Sequence, residues 1–534
     1  MHQTKPDAEE ATVGGGEDRR DVEVVVEVGP DALTPREVMA VARDGAAVTL
    51  TEGARTSRAT ARAHVDELAA GEEPAYGVST GFGALATRHI PPERRTQLQR
   101  SLIRSHAAGS GPEVEREVTR AMMVLRLRTL VSGHTGVRPE VAEAMAGLLN
   151  AGLTPVVHEY GSLGCSGDLA PLSHVALALM GEGQVRDADG TLLPAAEALQ
   201  AAGLEPVELA AKEGLALING TDGMLGMLCL AIWDLARLLQ VADLAAAMSV
   251  EALLATDRVF AAELMSMRPH PGQQSSADNV RRLLEGSGIV ASHRTPDCNR
   301  IQDAYSLRCA PQVHGAARDL LAHAELVASR ELSSAIDNPV VTSDGRVESN
   351  GNFHGAPVGY TLDVLAIPIA DVGSMSERRT DRFLDVDRNQ GLPPFLADDP
   401  GVDSGHMIAQ YTQAGIVSEL KRLASPASVD SIPSSAMQED HVSMGWSAAR
   451  KLRRAVDGLT RILAIELLTA ARAIDLRAPL SPAPATGAAV KALREHVAGP
   501  GPDRELAPEI EATVSLVRSG ALVAAAEGVV GRLH

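Results

Sequence analysis

The sequence predicts a mainly α protein: a bundle of long helices with a small mixed α/β part near its N-terminal end. Three observations point there. Hydrophobic residues make up 45% of the 534-residue chain but aromatic residues only 2%. The apolar positions are therefore largely Ala, Leu and Val, and long segments carry them at helical spacing. Strand candidates are few and short: VEVVVEVG (22–29) and AAVTLTE (46–52).

The elements follow in order. Residues 1–20, MHQTKPDAEEATVGGGEDRR, are polar, charged and glycine-rich and are expected to form a disordered acidic tail. They lack the apolar core of a signal peptide. From about Pro92 the pattern turns helical. EVEREVTRAMMVLRLRTLVSG (113–133) has apolar residues at helical spacing and ends in glycine. In GSLGCSGDLAPLSH (161–174), Asp168 suits an N-cap and Pro171 a first turn, so LAPLSHVALALM (169–180) continues as a buried helix. The segment 223–255 is apolar nearly all round, as a helix in the middle of a bundle would be. Further long helices are expected at 314–335, 360–385 and 446–475. No repeat of fixed period is present. Length alone suggests three or four domains, but no linker divides the chain after the tail. Two parts are expected: an N-terminal domain over 21–220 that carries the 161–174 loop, and a long-helix bundle with a C-terminal helical region over 221–534.

Composition excludes several functions. With 49 basic and 69 acidic residues the net charge is −20, which argues against a nucleic-acid or anionic-membrane partner. No uninterrupted apolar run is long enough for a membrane span. Four cysteines, Cys165, Cys229, Cys298 and Cys309, make no CxxC pair. Free thiols in a reducing cytoplasm are expected.

Between the helices lie polar, glycine-bearing segments: YGVSTGFG, RSHAAGSG, GSLGCSGD, LINGTDG, IQDAYSLRCAPQ, GNFHGAP and QEDHVSMG. Loops carrying chemistry on a rigid scaffold look like this. Tyr76, Tyr305 and Phe353 all fall in them. Gly81-Phe82-Gly83 with Ala86 resembles a dinucleotide fingerprint, but no acidic residue follows about twenty positions on. Around Ser166 a nucleophile elbow fails, because Asp168 stands where its last glycine belongs. No P-loop or HExxH occurs. His134, His158 and His323 read as cap or surface residues, and no metal site is expected. Taken alone, the 161–174 stretch is equally well explained as a capped turn before a core helix.

Taken together, these segments resemble the aromatic amino acid ammonia-lyases, and among them the histidine-specific branch, over about residues 30–480. The resemblance implies a helix bundle of the aromatic ammonia-lyase and fumarase–aspartase-like type, assembled as a homotetramer with sites shared between chains. It also implies a prosthetic group, 4-methylidene-imidazol-5-one (MIO), formed autocatalytically from Cys165-Ser166-Gly167, with no external cofactor. The amide nitrogen of Gly167 attacks the Cys165 carbonyl carbon, Ser166 loses its hydroxyl, and two waters leave. A side chain on residue 167 would obstruct the attack. Most relatives have alanine first in this triad. Cys165 lends only Cα and its carbonyl carbon to the ring, so cyclisation is expected to survive.

The chemistry calls for such a group. An ammonium leaves poorly and a β-hydrogen is barely acidic, so elimination needs an electrophile and a base at the β-carbon. By resemblance Tyr76 is that base and Asn219 supports the MIO carbonyl and the substrate amine. Arg308 clamps the carboxylate, a task for its planar fork. Gln302 and Tyr305 precede Arg308 at intervals of three and share a helical face with it, and Phe353 walls the pocket. Ser105-His106 and Glu439 are histidine-specific features, and a carboxylate suits an imidazole but is costly opposite a phenyl ring. Met437 stands where asparagine is frequent. The resemblance thus implies a carbon–nitrogen lyase converting L-histidine to trans-urocanate and ammonia, the first step of histidine degradation. The alternative is a MIO-dependent tyrosine or phenylalanine lyase or an aminomutase. The intact triad, Tyr76 and Arg308 speak against an inactive binding homologue.

Overall fold

A computed structural model of the chain describes residues 24–71, 76–81, 83–85, 87–295 and 301–534. The expected acidic tail, Phe82 and Cys298 lie outside them. The axis of the fold is the helix Asp222–Ala252, whose residues are nearly all buried. It packs against Arg116–Leu130, Ala310–Leu332, Ala356–Leu384 and Gly445–Asp475. Each long helix begins and ends within a few residues of the position its apolar periodicity predicts. Pro368 sits inside Ala356–Leu384, where it removes one backbone hydrogen bond without ending the helix.

The N-terminal part is mixed, as expected. Strand Val25–Val28 pairs in parallel with Ala47–Leu50, Val25 opposite Ala47 and Val28 opposite Leu50. The crossover between them holds the short helix Pro35–Met39 and a π-helical turn, Ala40–Asp44. Thr34 and Glu37 cap the helix reciprocally. An irregular antiparallel ribbon, Ser110–Glu113 with His158–Tyr160, runs up to Gly161.

One sequence expectation needs correction. Among the described residues two helical stretches, Glu213–Ala252 and Ala356–Leu384, are each long and apolar enough to cross a bilayer, with mean hydropathies of 1.6 and 1.2. Isolated charges within them interrupt the apolar run that the sequence reading required. The apolar window of the first is 100% buried by the protein itself, so packing against other helices accounts for its composition.

Ion pairs are buried between these helices. Arg379 meets Glu466 at 2.5 Å, both side chains fully buried, and Ser249 and Ser376 donate to the same carboxylate. Asp243 accepts hydrogen bonds from His314 (2.8 Å), Arg318 (2.6 Å), Ser276 and Asn279. Asn279 and Arg318 also bond the main chain of His534, so this cluster ties the chain end to the core.

Burial alone would raise the Asp243 pKa, but Arg318 and His314 override it and hold the carboxyl at about 2. A folded pKa below the unfolded one gives stability that is present above about pH 4 and lost as the pH falls towards 2. Breaking one partner of a buried pair typically costs about 3–5 kcal/mol. Asp243→Asn is therefore expected to lower stability by about that amount in urea at pH 7, with the gap to wild type closing below pH 4. An unchanged urea midpoint would refute this role.

Candidate active site

The ribbon delivers the chain into the Gly161–Asp168 loop, which other parts of the chain pin in place. Ser162 Oγ donates to Asp168 Oδ1 (2.8 Å) and accepts from Gly164 N (3.1 Å). Gly164 O accepts from Gly355 N (3.0 Å) and Ser443 Oγ (2.7 Å), and Leu163 O accepts from Met444 N (2.8 Å). Asp168 N donates to Gly220 O at 2.7 Å.

Asp168 corrects the sequence reading. It holds the N-cap position of Leu169–Leu179, but its side chain makes no bond to that helix. Its Oδ2 instead accepts from Gly223 N (2.9 Å) and Met224 N (3.0 Å), in the first turn of Asp222–Ala252. It caps a helix 54 positions further on, where Thr221 makes no side-chain cap. Burial lifts its pKa to about 7, against the pull of these donors. Four helices thus start at the loop: those beginning at Leu169, Asp222, Ala356 and Gly445. Each N-terminus carries roughly half a positive charge, so the loop sits where negative charge is stabilised.

Gly167 lies at φ +81°, and a Cβ there would stand 2.2 Å from Gly220 O. Asn219, just past the helix Glu213–Ile218, donates from Nδ2 to Ser166 O at 3.0 Å. Its Oδ1 is buried without a hydrogen-bond partner, an acceptor free for a cationic donor. Beneath lie Arg126 and Asp222, 3.4 Å apart, and Lys212 with Asp337, 2.5 Å apart.

Glu439 reaches the loop from the far end of the sequence. Its Oε2 accepts from Cys165 Sγ (3.0 Å) and Ser434 Oγ (3.2 Å), and its Oε1 from Ser166 Oγ (3.1 Å). A tight turn presents it. Ser434 and Glu439 pair across the turn, and Ser435, Ala436 and Met437 between them have φ of +51°, +52° and +69°. Three left-handed non-glycine residues cost roughly 3 kcal/mol or more together. Gly83, whose amide donates to Tyr76 Oη at 3.2 Å, lies against Ser435.

His106 ends the helix Arg95–His106. Its Nδ1 lies 2.9 Å from Leu102 O. A carbonyl only accepts, so Nδ1 carries the proton and Nε2 is left as an acceptor. Burial lowers its pKa, and the Glu439 charge only partly reverses this.

One chain therefore gathers His106, Cys165, Ser166, Gly167, Asn219 and Glu439, with Tyr76 linked through Gly83 to the turn that carries Glu439. Phe353 stands half-buried in the turn before Gly355, beside the same loop. Gln302, Tyr305 and Arg308 come together elsewhere. Arg308 donates to Gln302 Oε1 (3.0 Å), its Cζ lies 4.7 Å from the Tyr305 ring centre, and its Nε is buried and unpaired. Tyr305 is 70% exposed. Only Tyr305–Arg308 is helical, so Gln302 meets Arg308 from a loop. Arg379 Nη1 bonds Ser306 O (3.2 Å), which places this group beside the C-terminal end of Ala356–Leu384. The Gly161–Asp168 loop meets that helix at its N-terminal end, through Gly355. The separation along the helix is about 36 Å at 1.5 Å per residue. Sequence reasoning missed Ser434 and the remote target of Asp168, since neither lies within a motif of the residues it serves.

Residues 33–495 match the family model for aromatic amino acid lyase, and the chain belongs to that family. It is 66% identical over 510 residues to the histidine ammonia-lyase of Streptomyces coelicolor, covering 95% of this chain and 99% of that one. The histidine ammonia-lyase of Streptomyces avermitilis is 67% identical over 509 residues, with the same coverage of both chains. Among solved structures, histidine ammonia-lyase from Trypanosoma cruzi superposes with a TM-score of 0.87 at 38% identity, covering 95% and 96%. Tyrosine aminomutase from Streptomyces globisporus gives 0.90 at 38% identity, covering 96% and 100%.

The family works through MIO in general. The loop fits such a ring: residue 167 lacks the Cβ that would strike Gly220, and Asn219 already holds the Ser166 carbonyl. Alanine at 167 pays about 1–2 kcal/mol for its φ, and the collision with backbone adds to that because no flexible side chain can yield. Gly167→Ala is expected to destabilise the chain by more than about 2 kcal/mol in urea. A variant as stable as wild type would show that the loop moves freely.

Proposed function

We propose that the chain is an ammonia-lyase for L-histidine that releases trans-urocanate and ammonia, the first step of histidine degradation. The observation that carries this reading is the Glu439 carboxylate, held on the Cys165–Gly167 loop with His106 close enough to feel its charge. The identity to the two Streptomyces relatives supports the same substrate. A carboxylate and a neutral imidazole acceptor match the two N–H groups of a protonated histidine ring and would be desolvated at a loss against phenyl, while a phenol has one O–H for two acceptors. This disfavours the tyrosine and phenylalanine reactions.

Cys165, Ser166 and Gly167 form the prosthetic group without an external cofactor, by attack of the Gly167 nitrogen on the Cys165 carbonyl and loss of two waters. Once formed, MIO supplies an electrophile that activates the substrate for loss of its amine. Glu439 Oε1 accepts a hydrogen bond from the substrate imidazole, and His106 Nε2 offers a second acceptor. Asn219 steadies the residue-166 carbonyl with Nδ2 and takes the substrate ammonium on its free Oδ1. Tyr76 removes the β-proton onto its oxygen. The C–H pair becomes the new C=C bond, and the C–N pair leaves with ammonia. Arg308 forks onto the substrate carboxylate, positioned by Gln302 and Tyr305, and Phe353 closes the apolar wall.

Arg308 stands too far along Ala356–Leu384 to reach the loop of its own chain, so a second copy supplies it. Tyr360, Val364 and Ile367 form an exposed apolar stripe on one face of that helix, apt for burial in a homotetramer. Cys165, Cys229 and Cys309 are free thiols, in keeping with the cytoplasm.

The purified chain should weigh less than its sequence mass by two waters, with the loss confined to a peptide holding residues 165–167. It should turn L-histidine into an ultraviolet-absorbing acrylate. Ser166→Ala should restore the full mass and cut turnover at least a thousandfold, the scale expected when the reacting group itself is removed. A full-mass wild type with full activity would overturn the proposal. Shared sites give a further expectation. Ser166→Ala and Arg308→Ala chains should each be nearly inactive, yet assemblies formed by co-expression should regain about a quarter of wild-type activity. Each contributing chain carries its intact half with even odds in a symmetric oligomer. No recovery in the mixed assembly would place both groups in one chain.

A further inference from the structure

Glu439 is gripped asymmetrically. Oε2 accepts from two donors, Cys165 Sγ at 3.0 Å and Ser434 Oγ at 3.2 Å, whereas Oε1 accepts only from Ser166 Oγ at 3.1 Å. The hydroxyl of Ser166 is the group that maturation of the loop removes. Cys165 gives up only backbone atoms, so its thiol stays, and Ser434 lies outside the loop. Maturation therefore frees Oε1 and leaves Oε2 held.

We propose that Cys165 and Ser434 are positioning residues for substrate selection: their S–H and O–H groups hold Glu439 Oε2 so that Oε1 faces the ring of the incoming amino acid. This rests on the reading of Glu439 as the partner of the substrate imidazole.

Three features support it. Cys165 is 6% exposed, and burial together with Glu439 pushes its thiol up to about 12, so it remains a donor at working pH. Ser434 opens the left-handed turn that carries Glu439, and Ser434 N donates to Glu439 O at 2.9 Å. The serine thus fixes backbone and side chain of the same residue. A carboxylate on a long, rotatable stem otherwise loses side-chain entropy when it docks a ring, and two fixed donors meet that cost before the substrate arrives. A hydroxyl donor to a charged acceptor is worth about a factor of ten or more in affinity. A thiol is the weaker donor, worth about three- to tenfold.

The test uses full-length, assembled Ser166→Ala protein, in which Oε1 is free and turnover is at least a thousandfold slower than in wild type. Binding of L-histidine and L-phenylalanine is measured by calorimetry. Into this background are placed Cys165→Ala, Cys165→Ser, Ser434→Ala and Glu439→Gln. The expected result is a three- to tenfold loss of histidine affinity for Cys165→Ala and about tenfold for Ser434→Ala. Cys165→Ser, which keeps a donor, should stay within about twofold of the parent, and phenylalanine affinity should not change. A Glu439→Gln protein that binds histidine as tightly as the parent sinks the underlying reading of Glu439. Weakened binding in Glu439→Gln with Cys165→Ala and Ser434→Ala unchanged overturns the positioning role alone. Failure of Cys165→Ser to rescue, or an equal loss for phenylalanine, shows that packing rather than hydrogen bonding is at work and also overturns it.

Discussion

The buried carboxylate of Asp168 is the contact on which the site depends. One oxygen ties down Ser162 within the loop, and the other caps the Asp222–Ala252 helix through Gly223 N and Met224 N. Its own N–H grips Gly220 O. Loop and central helix are thereby fixed relative to each other by one side chain. A charged cap of this kind is worth about 1–3 kcal/mol. Burial works against it, which is why the carboxyl rests near 7 and not at the usual carboxylate value. Without Asp168, Asn219 would lose its register on the Ser166 carbonyl, because Asn219 lies one residue before the Gly220 that Asp168 holds.

The second requirement is that the loop carry no side chain at residues 164 and 167, where other parts of the chain close on it. Gly164 and Gly167 both lie at positive φ, and a Cβ on either would enter occupied space, Ser443 Oγ at 2.4 Å for the first and Gly220 O at 2.2 Å for the second. The absent side chains let four helix N-termini close around a few residues. Their dipoles then act on this one short loop, in a setting from which most water is excluded, where such fields are felt strongly. On the opposite side the left-handed turn at 435–437 stores strain, repaid by the pairing of Ser434 with Glu439 and by the latter's three side-chain contacts. Strain of that kind persists only where surrounding contacts over-determine the geometry.

Much of this was legible in the sequence. The long helices declared themselves through an apolar period that no strand would keep, and their observed ends fall within a few residues of the expected ones. The loop was legible because its residue types are unusual together: Gly161, Gly164 and Gly167 around Cys165-Ser166. What stayed hidden depends on contacts between distant positions. Asp168 has the right type for a cap and the right place for one, so nothing local says that it serves a helix 54 residues away. The turn at Ser435-Ala436-Met437 contains no glycine, so its left-handed backbone leaves no mark in the sequence. The apolar helices were judged by unbroken runs, and scattered charges such as Asp234 and Asp243 concealed how far their hydropathy extends.

The proposed division of the site along Ala356–Leu384 gives that helix a role beyond packing. Gly355 at its start bonds the loop, and Arg379 near its end bonds the backbone of the Tyr305–Arg308 turn. Its length, about 43 Å for 29 residues, therefore sets the distance between the two halves. Two chains packed antiparallel on this helix would set the clamp of one beside the loop of the other. The stripe of Tyr360, Val364 and Ile367 lies in the half nearer the loop, which is where an opposing chain would have to dock to bring its Arg308 there. On the proposed reading, burial of that stripe and completion of the site are one event. In the proposed assembly the exposed apolar stripe would be the same surface that aligns the proposed carboxylate clamp, so that assembly and activity would share a single thermodynamic cause.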